Sequence, residues 1–245
     1  QQATWPVKMY RRKNMFNIAI DGPGGAGKSS VSRAVSKELG FIYVDTGALY
    51  RAVGLYALRN GVDTKNETAV GEYLPKIKVE LVFENGEQKV LLNGEDVSVD
   101  IRLPEASMAA SDVSKIPSVR KFLFDLQRGI AAENNCLMDG RDIGTVVLPK
   151  ADLKIFLTAS PEARARRRYD ELVAKGSEVS FEEILKDLNA RDYQDSHREI
   201  APLKPAEDSV ILDTTDLTFE EVKNKIIELT RERQNHGKTN YHKQG

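Results

Sequence analysis

A glycine-rich stretch between a short apolar run and a helical pattern constrains the fold of this chain most. Residues 16–20 are mainly apolar and end in Asp21, which predicts a buried strand. The next residues, Gly22–Ser29, match G-x-x-x-x-G-K-[ST], and the apolar positions from Val31 to Leu39 recur at helical spacing. In such a strand–loop–helix unit, the backbone N–H groups and the helix dipole converge on an anion. This order predicts a site for the phosphates of ATP or GTP, rather than a glycine-rich turn that matches by chance.

Strands and helices continue to alternate along the chain. A second buried strand is predicted at residues 41–44, and a helix runs from about Leu49 to a stop near Asn60-Gly61. Further short apolar runs lie at 137–138, 153–157 and 210–212. Alternation of this kind implies a parallel sheet covered by helices. The predicted fold is therefore α/β, with a core of the P-loop NTPase type.

One segment departs from that alternation. Apolar and polar residues alternate from Ile77 to Phe83, which is typical of a half-exposed strand. The pairs Asn85-Gly86 and Asn93-Gly94 flank a further short strand and are typical of hairpin turns. A small antiparallel meander is therefore predicted as an insert in the α/β core.

The segment from about Pro161 to Arg198 is predicted to form two basic helices. Ser160 before Pro161 is typical of a helix start, and Ser180 with Glu183 is typical of a capping box. One group of arginines is tightly clustered, and a second continues an apolar helical face: Arg164, Arg166, Arg167 and Arg168, then Arg191 and Arg198. Clustered guanidinium groups repel one another unless an anion, carboxylates or water surround them. Beside a phosphate loop we expect a flap that closes over a triphosphate and excludes water. A solvent-exposed face with Arg–Asp pairs is the alternative.

The composition limits the classes of function. The chain has 245 residues and a formal net charge of −1, which argues against a protein that mainly grips nucleic-acid backbone. A single cysteine, Cys136, excludes an intrachain disulfide. No apolar run is long enough to cross a bilayer, and the first fourteen residues lack the apolar stretch of a signal peptide. We expect a cytoplasmic protein without membrane or nucleic-acid partners, and we expect it to act as a monomer.

An ordered series of motifs makes the chain resemble the bacterial cytidylate kinase family from Phe16 to about Arg233. The motifs are Asp21–Ser29, Val44–Arg51, Asn93–Val97, Met138–Gly144, Ala190–Arg198 and Ala201–Leu203. Many families share a phosphate loop, whereas this series is specific. The resemblance implies ATP-dependent phosphorylation of CMP and dCMP to CDP and dCDP, in pyrimidine nucleotide metabolism.

The resemblance also implies an inserted domain that binds the nucleoside monophosphate (NMP) and a short helical lid. The resulting prediction has core segments at 15–60, 111–160 and 200–233, the insert at 61–110, the lid at 161–199, and tails at 1–14 and 234–245.

Residue roles divide between two nucleotides and one metal ion. The loop pattern predicts that Lys28 bridges the β- and γ-phosphates and that the Ser29 hydroxyl is a ligand of Mg²⁺. The resemblance adds Asp139 as a residue that holds Mg²⁺ through water. ATP is expected to contact Gly22, Pro23, Gly24, Gly25, Ala26, Gly27, Lys28, Ser29, Ser30, Arg164 and Arg168.

For the acceptor, the resemblance implies three groups of ligands. They are Thr46, Arg51, Arg141, Arg191 and Arg198 for the CMP phosphate, Asp195 for the ribose hydroxyls, and Ser111, Arg120 and Asp142 for cytosine. Lys28, Arg141, Arg191 and Arg198 are the expected catalytic residues. The acceptor is a phosphate oxygen that is already anionic, so we expect in-line positioning and charge neutralisation without a covalent nucleophile or general base.

The chemistry of cytosine supports the third group. Its N4 amino group is a donor where uracil has the O4 acceptor. The Asp142 carboxylate would accept from cytosine and repel uracil, and Arg120, which only donates, suits the O2 and N3 acceptors. A salt bridge between Asp142 and a nearby arginine, without substrate contact, is the alternative.

Two other readings of the whole chain stay open. A P-loop kinase of another small acceptor, such as UMP, shikimate or dephospho-coenzyme A, would carry the same loop. A nucleotide-gated switch or an RNA-binding module fits less well, because the chain has no N-K-x-D guanine reader and no basic balance.

Overall fold

A five-stranded sheet forms the centre of the molecule. The computed structural model describes residues 15–84 and 87–241. The central strands are β1 Asn17–Asp21, β2 Ile42–Asp45, β6 Cys136–Gly140, β7 Leu153–Thr158 and β8 Val210–Asp213. Their order is β2-β6-β1-β7-β8, and all neighbouring pairs are parallel. The inner strands β1 and β6 are buried along nearly their whole length, as strands covered by helices on both faces must be. The predicted α/β fold is confirmed.

Helices cover both faces of this sheet. The α-helices are α1 Lys28–Leu39, α2 Thr46–Arg59, α3 Glu67–Tyr73, α4 Pro104–Val113, α5 Pro117–Glu133, α6 Pro161–Ala174, α7 Phe181–His197 and α8 Phe219–Tyr241. Short 3₁₀ helices lie at Leu74–Lys76 and Asp100–Arg102, and a π-helix lies at Ile143–Val147. Within the described ranges, no helix is long and apolar enough to span a membrane.

The predicted helix boundaries agree with the capping contacts. The Ser160 hydroxyl accepts from the Ala163 N–H at 3.1 Å to start α6, and the Ser180 hydroxyl accepts from the Glu183 N–H at 3.4 Å to start α7. Helix α1 ends at Gly40, whose φ of 68° lies in the left-handed region that glycine adopts without strain.

The predicted meander is a separate three-stranded antiparallel sheet. Its strands are β3 Val79–Glu84, β4 Glu87–Leu92 and β5 Glu95–Asp96, in the order β3-β4-β5. Asn93 and Gly94 both have positive φ and form the predicted turn between β4 and β5. The other predicted turn, Asn85-Gly86, lies outside the described residues.

The packing joins the insert to helices on either side of it in sequence. Leu49 and Val53 of α2 and Leu123 of α5 share one buried cluster with Val90 and Leu92 of β4. The segment 61–110 therefore does not bury its apolar face alone. A second cluster packs β1 against α1 and α8, and it fixes the strand end from which the phosphate loop leaves the sheet.

The end of the chain differs from the prediction of a loose tail from residue 234. Helix α8 continues to Tyr241. Its start carries a full capping box, because the Thr218 N–H donates to the Glu221 carboxylate at 2.8 Å and the Glu221 N–H donates to the Thr218 hydroxyl at 3.3 Å. The N-terminal tail at 1–14 lies outside the described residues.

Candidate active site

The carboxyl ends of the parallel strands open into one large cavity. Its volume is about 780 Å³, and its walls come from the phosphate loop, the start of α2, α4, the turn after β6, and helices α6 to α8. Parallel α/β sheets bind ligands at this edge, because loops and helix N-termini converge there. The cavity is large enough to hold a sizeable ligand.

The phosphate loop has the conformation that its glycines predict. Gly25 and Gly27 have φ values of 74° and 83°. At Gly22, a Cβ atom would lie 1.9 Å from the Leu157 carbonyl oxygen, so only glycine fits where the loop leaves β1. The predicted ATP contacts Gly24, Gly25, Ala26, Gly27, Lys28, Ser29 and Ser30 all line the cavity, whereas Gly22 and Pro23 lie at the base of the loop.

Lys28 is the cation of the phosphate loop, and it is only 6% exposed. Its ammonium donates to the Pro23 carbonyl at 2.7 Å. Burial lowers the pKa of Lys28 well below its usual range, and the nearby Arg141 and Arg191 lower it further, while Asp139 and Asp21 act in the opposite direction. A buried ammonium beside two guanidinium groups is a site suited to an anion.

Ser29 and Asp139 meet beside this lysine. The Ser29 hydroxyl donates to Asp139 Oδ2 at 2.7 Å, across 110 positions of sequence. Burial raises the pKa of Asp139 to about 7, Asp45 adds to that effect, and Lys28 opposes it. A hydroxyl and a carboxylate oxygen beside a phosphate loop are hard oxygen donors of the kind that Mg²⁺ binds. The two residues therefore fit the metal site predicted for them.

On the acceptor side, Thr46 and Arg51 stand at the start of α2. The Thr46 hydroxyl donates to the Asp139 carbonyl at 2.7 Å, and Arg51 Nη2 donates to Asp45 Oδ2 at 2.7 Å. Asp45 also accepts from the Ala48 N–H at 3.0 Å, which caps the helix. Arg51 Nε is buried and has no hydrogen-bond partner among the described residues. Arg51 lines the cavity, but its Nε must turn towards the open space to meet a phosphate, and the Thr46 proton must first leave the Asp139 carbonyl.

The predicted cytosine readers are paired with one another. Arg120 Nη2 donates to Asp142 Oδ2, and Arg198 Nη2 lies 3.5 Å from Asp142 Oδ1. The side chains of Arg120 and Asp142 are each only 8% exposed. Both nevertheless line the cavity, together with Ser111 and Tyr50. The salt bridge named above as an alternative therefore exists, and it lies within the wall of the site.

The remaining predicted acceptor residues connect the turn after β6 to helix α7. Arg141 Nε donates to Asp195 Oδ2 of α7 at 2.8 Å. Arg191 lines the cavity one helical turn before Asp195, and it has no carboxylate at ion-pair distance within the described part of the chain. It is the site arginine whose charge most needs a ligand.

The two arginines predicted to contact ATP occupy different positions. Arg164 is 3% exposed and does not line the cavity. Instead it donates to the Gly24 carbonyl at 2.9 Å and to Asp192 of α7 at 2.6 Å, so it lies beneath the loop. Arg168 lines the cavity and pairs with Glu171 at 2.8 Å. The geometry of Arg164 favours support of the loop over direct contact with ATP.

Several wall residues were not predicted from the sequence. They include Asp45, Tyr50, Ser107, Leu188, Thr214, Leu217, Phe219 and Val222. Asp45 and Tyr50 lie within the Val44–Arg51 motif, which is the sequence signal that could have identified them. The residues from Thr214 to Val222 are brought to the cavity only by the packing of β8 and α8, and no local pattern marks them.

Comparisons with known proteins relate the chain to one family. Residues 18–232 match the protein-family model described as cytidylate kinase. The chain is 51% identical over 214 residues to the cytidylate kinase of Carboxydothermus hydrogenoformans, covering 87% of this chain and 96% of that protein. It is 50% identical to the cytidylate kinase of Caldicellulosiruptor saccharolyticus, covering 87% and 95%. Among solved structures, a gluconokinase from Sinorhizobium meliloti is similar with a TM-score of 0.46 and 15% identity, covering 96% of this chain and 100% of that one.

Proposed function

The chain belongs to the cytidylate kinase family, and we propose that it uses ATP with Mg²⁺ to phosphorylate CMP and dCMP, forming CDP and dCDP. The observation that carries this proposal is the shared cavity. A phosphate loop and a buried Arg120–Asp142 pair face the same space. The loop suits a triphosphate, and the pair presents both a donor and an acceptor to a base.

The donor half would hold ATP by its phosphates. The backbone amides of residues 24–30 and the Lys28 ammonium surround the β- and γ-phosphates. Ser29, with Asp139 acting through water, would hold Mg²⁺, which neutralises phosphate charge when it is bound. The negative charge of ATP would favour the charged form of Lys28, whose pKa is lowered by burial.

The acceptor half would hold CMP by three kinds of contact. Arg51 Nε, and Thr46 once its hydroxyl turns from the Asp139 carbonyl, donate to the phosphate. Asp195 accepts from a ribose hydroxyl. Asp142 accepts from the N4 amino group of cytosine, while Arg120 and the Ser111 hydroxyl donate to O2 or N3. Uracil would place its O4 acceptor against the Asp142 carboxylate, which explains the expected preference.

Transfer then needs alignment rather than covalent catalysis. An oxygen of the CMP phosphate attacks the γ-phosphorus as the bond to the β–γ bridging oxygen breaks, and ADP leaves. Lys28, Arg141, Arg191 and Arg198 neutralise the charge that spreads over the transferred group. Arg141–Asp195 and Arg164–Asp192 tie α7 to the rest of the site, so the lid can exclude water that would otherwise accept the phosphoryl group. Residues of one chain supply both halves of the site, so the proposed transfer needs no residue from a second copy.

A substrate panel tests the proposal. With ATP and Mg²⁺ held constant, we expect the highest kcat/KM for CMP and dCMP, a value at least about tenfold lower for UMP, and background rates for AMP and shikimate. ATP alone should leave the protein unphosphorylated by mass spectrometry. If UMP or shikimate is turned over faster than CMP, that compound is the substrate in place of CMP. If ATP alone forms a phosphoprotein that decays when CMP is added, transfer passes through a covalent intermediate and is not direct.

A further inference from the structure

Asp21 is a buried carboxylate that the mechanism above does not use. It ends β1, directly before the phosphate loop, and is 4% exposed. Its Oδ1 accepts from the Ile143 N–H and its Oδ2 accepts from the Gly144 N–H, each at 2.7 Å. Both bonds cross more than 120 positions of sequence. One side chain therefore joins the strand that carries the phosphate loop to the segment that follows β6.

That segment holds the residues that meet the acceptor. Gly140 pairs with Asp21 in the β1–β6 register, Arg141 and Asp142 follow, and the π-helix begins at Ile143. The strand pairing therefore holds one end of the Arg141-Asp142 turn, and the Asp21 carboxylate holds the other. The first N–H groups of a helix have no partner within it, so the Ile143 and Gly144 amides at the start of the π-helix depend on an external acceptor.

We propose that Asp21 is a positioning residue that fixes Arg141 and Asp142 relative to the phosphate loop, so that selection of the base depends on it. The inference rests on the proposed function, because it assigns Asp142 to the base and Arg141 to the phosphate. Asp21 touches neither nucleotide in this arrangement. It acts through the backbone of residues 143 and 144.

The surroundings of Asp21 support a dedicated role. Burial raises its pKa to about 6, and the neighbouring Asp142 adds to that effect, while the two amides and Lys28 oppose it. At pH 8 the carboxylate is ionised and can accept both bonds. The packing around Gly144 is tight, since a Cβ atom at this position would lie 3.3 Å from Asp21 Oδ2 and 3.2 Å from Lys154 Cδ. Gly144 therefore offers an independent way to disturb the same contact.

A contribution to sheet stability alone is the competing explanation, and the chain contains a matched control. At the opposite end of β1, Asp152 Oδ2 accepts from the Asn17 N–H at 2.8 Å. This bond is also between a carboxylate and a distant backbone amide of the same strand, but it lies far from the cavity walls. Asp152→Ala removes this acceptor and reports what such a bond does for the strand without an effect on the turn.

The experiment compares Asp21→Asn with Asp152→Ala at pH 8, with CMP and UMP as acceptors. An asparagine side chain has one acceptor oxygen and a donor NH₂, so it can keep only one of the two bonds. For Asp21→Asn we expect the ratio of kcat/KM for CMP over UMP to fall about tenfold, KM for CMP to rise by a similar factor, and KM for ATP to change less than about twofold. Asp152→Ala should leave the ratio at the wild-type value.

The outcomes distinguish the positioning role of Asp21 from the proposed function. A folded Asp21→Asn variant with a wild-type CMP-to-UMP ratio, or with KM values for ATP and CMP that rise equally, overturns the positioning role. If Asp21→Asn does not fold, Gly144→Ala is tested instead. The CMP-to-UMP ratio should fall in the same way, and an unchanged ratio would overturn the positioning role. Wild-type protein that does not prefer CMP contradicts the proposed function itself, which the wild-type arm shows separately.

Discussion

The two halves of the cavity are built from different parts of the chain. The donor half is a continuous stretch, residues 22–30, whose ligands are mostly backbone amides and whose charge comes from Lys28. The acceptor half is assembled from side chains that are far apart in sequence and already paired with carboxylates: Arg51–Asp45, Arg120–Asp142 and Arg141–Asp195.

This difference predicts different responses to mutation. In the donor half, the buried Lys28 ammonium has too little negative charge around it until ATP binds. Replacing Lys28 should therefore stabilise the free protein, although it stops the reaction. In the acceptor half, Arg51, Arg120 and Arg141 each have a carboxylate partner, so removal of either member leaves the other without its counter-charge. The donor half should therefore separate activity from stability, and the acceptor half should lose both together.

The largest effect is expected in the donor half. Lys28→Met should lower kcat by about 10³–10⁵, by analogy with loss of other cations at a transferring phosphoryl group. A lysine whose pKa is lowered by folding destabilises the folded state while it is charged. Replacing it should therefore raise the thermal midpoint of the free protein, by about 2–4 °C for each kcal/mol of relief. Calorimetry and steady-state kinetics on the same preparation measure both effects.

Lys37, an exposed lysine at the other end of α1, is the control for that variant. Lys37→Met should change neither kcat nor the midpoint appreciably. A clear loss of thermal stability in Lys28→Met would break the contrast between the halves, because it would mean that the buried ammonium stabilises the loop through its bond to the Pro23 carbonyl.

The next largest effect is expected in the acceptor half. Asp142→Ala should lower kcat/KM for CMP by about 10²–10³ and for UMP by less than about tenfold, because only cytosine offers a donor to the carboxylate. The same change leaves Arg120 and Arg198 without their counter-ion, so the free energy of unfolding should fall by about 3–5 kcal/mol. Denaturant titration measures the second effect. Equal losses on CMP and UMP would remove Asp142 from base selection.

The partner of Asp142 sharpens this test. Arg120→Met combined with Asp142→Ala should be more stable than Asp142→Ala alone, because only Arg198 is then left without its counter-ion, yet it should not recover CMP selectivity. Asp100→Ala removes a carboxylate from the exposed Arg59 pair and should cost less than about 1 kcal/mol. A similar cost for the buried and exposed pairs would show that burial does not govern the acceptor half.

The same contrast explains what the sequence could predict. The phosphate loop, the parallel strands and the meander depend on local patterns, and each was located within a few residues. Arg120 and Asp142 were identified only through the family resemblance, because their pairing joins positions 22 residues apart with no shared pattern. Phe219 and Val222 reach the cavity through the packing of α8, and Arg164 was assigned to ATP because local sequence does not show which way a helical arginine faces.

Arg164 offers the smallest and most discriminating effect, since it joins the two halves. It donates to Gly24 of the donor loop and to Asp192 of the lid helix that carries the acceptor ligands Arg191 and Asp195. Arg164→Met should raise KM for ATP about tenfold with a smaller change in kcat, because a loop that has lost its support binds phosphate less well but still aligns it. Arg168→Ala, which removes an exposed partner of Glu171, should change KM for ATP by less than about threefold. A larger effect from Arg168 than from Arg164 would reverse the assignment, and it would make the exposed arginine the direct ATP contact and the buried one a packing residue of α6.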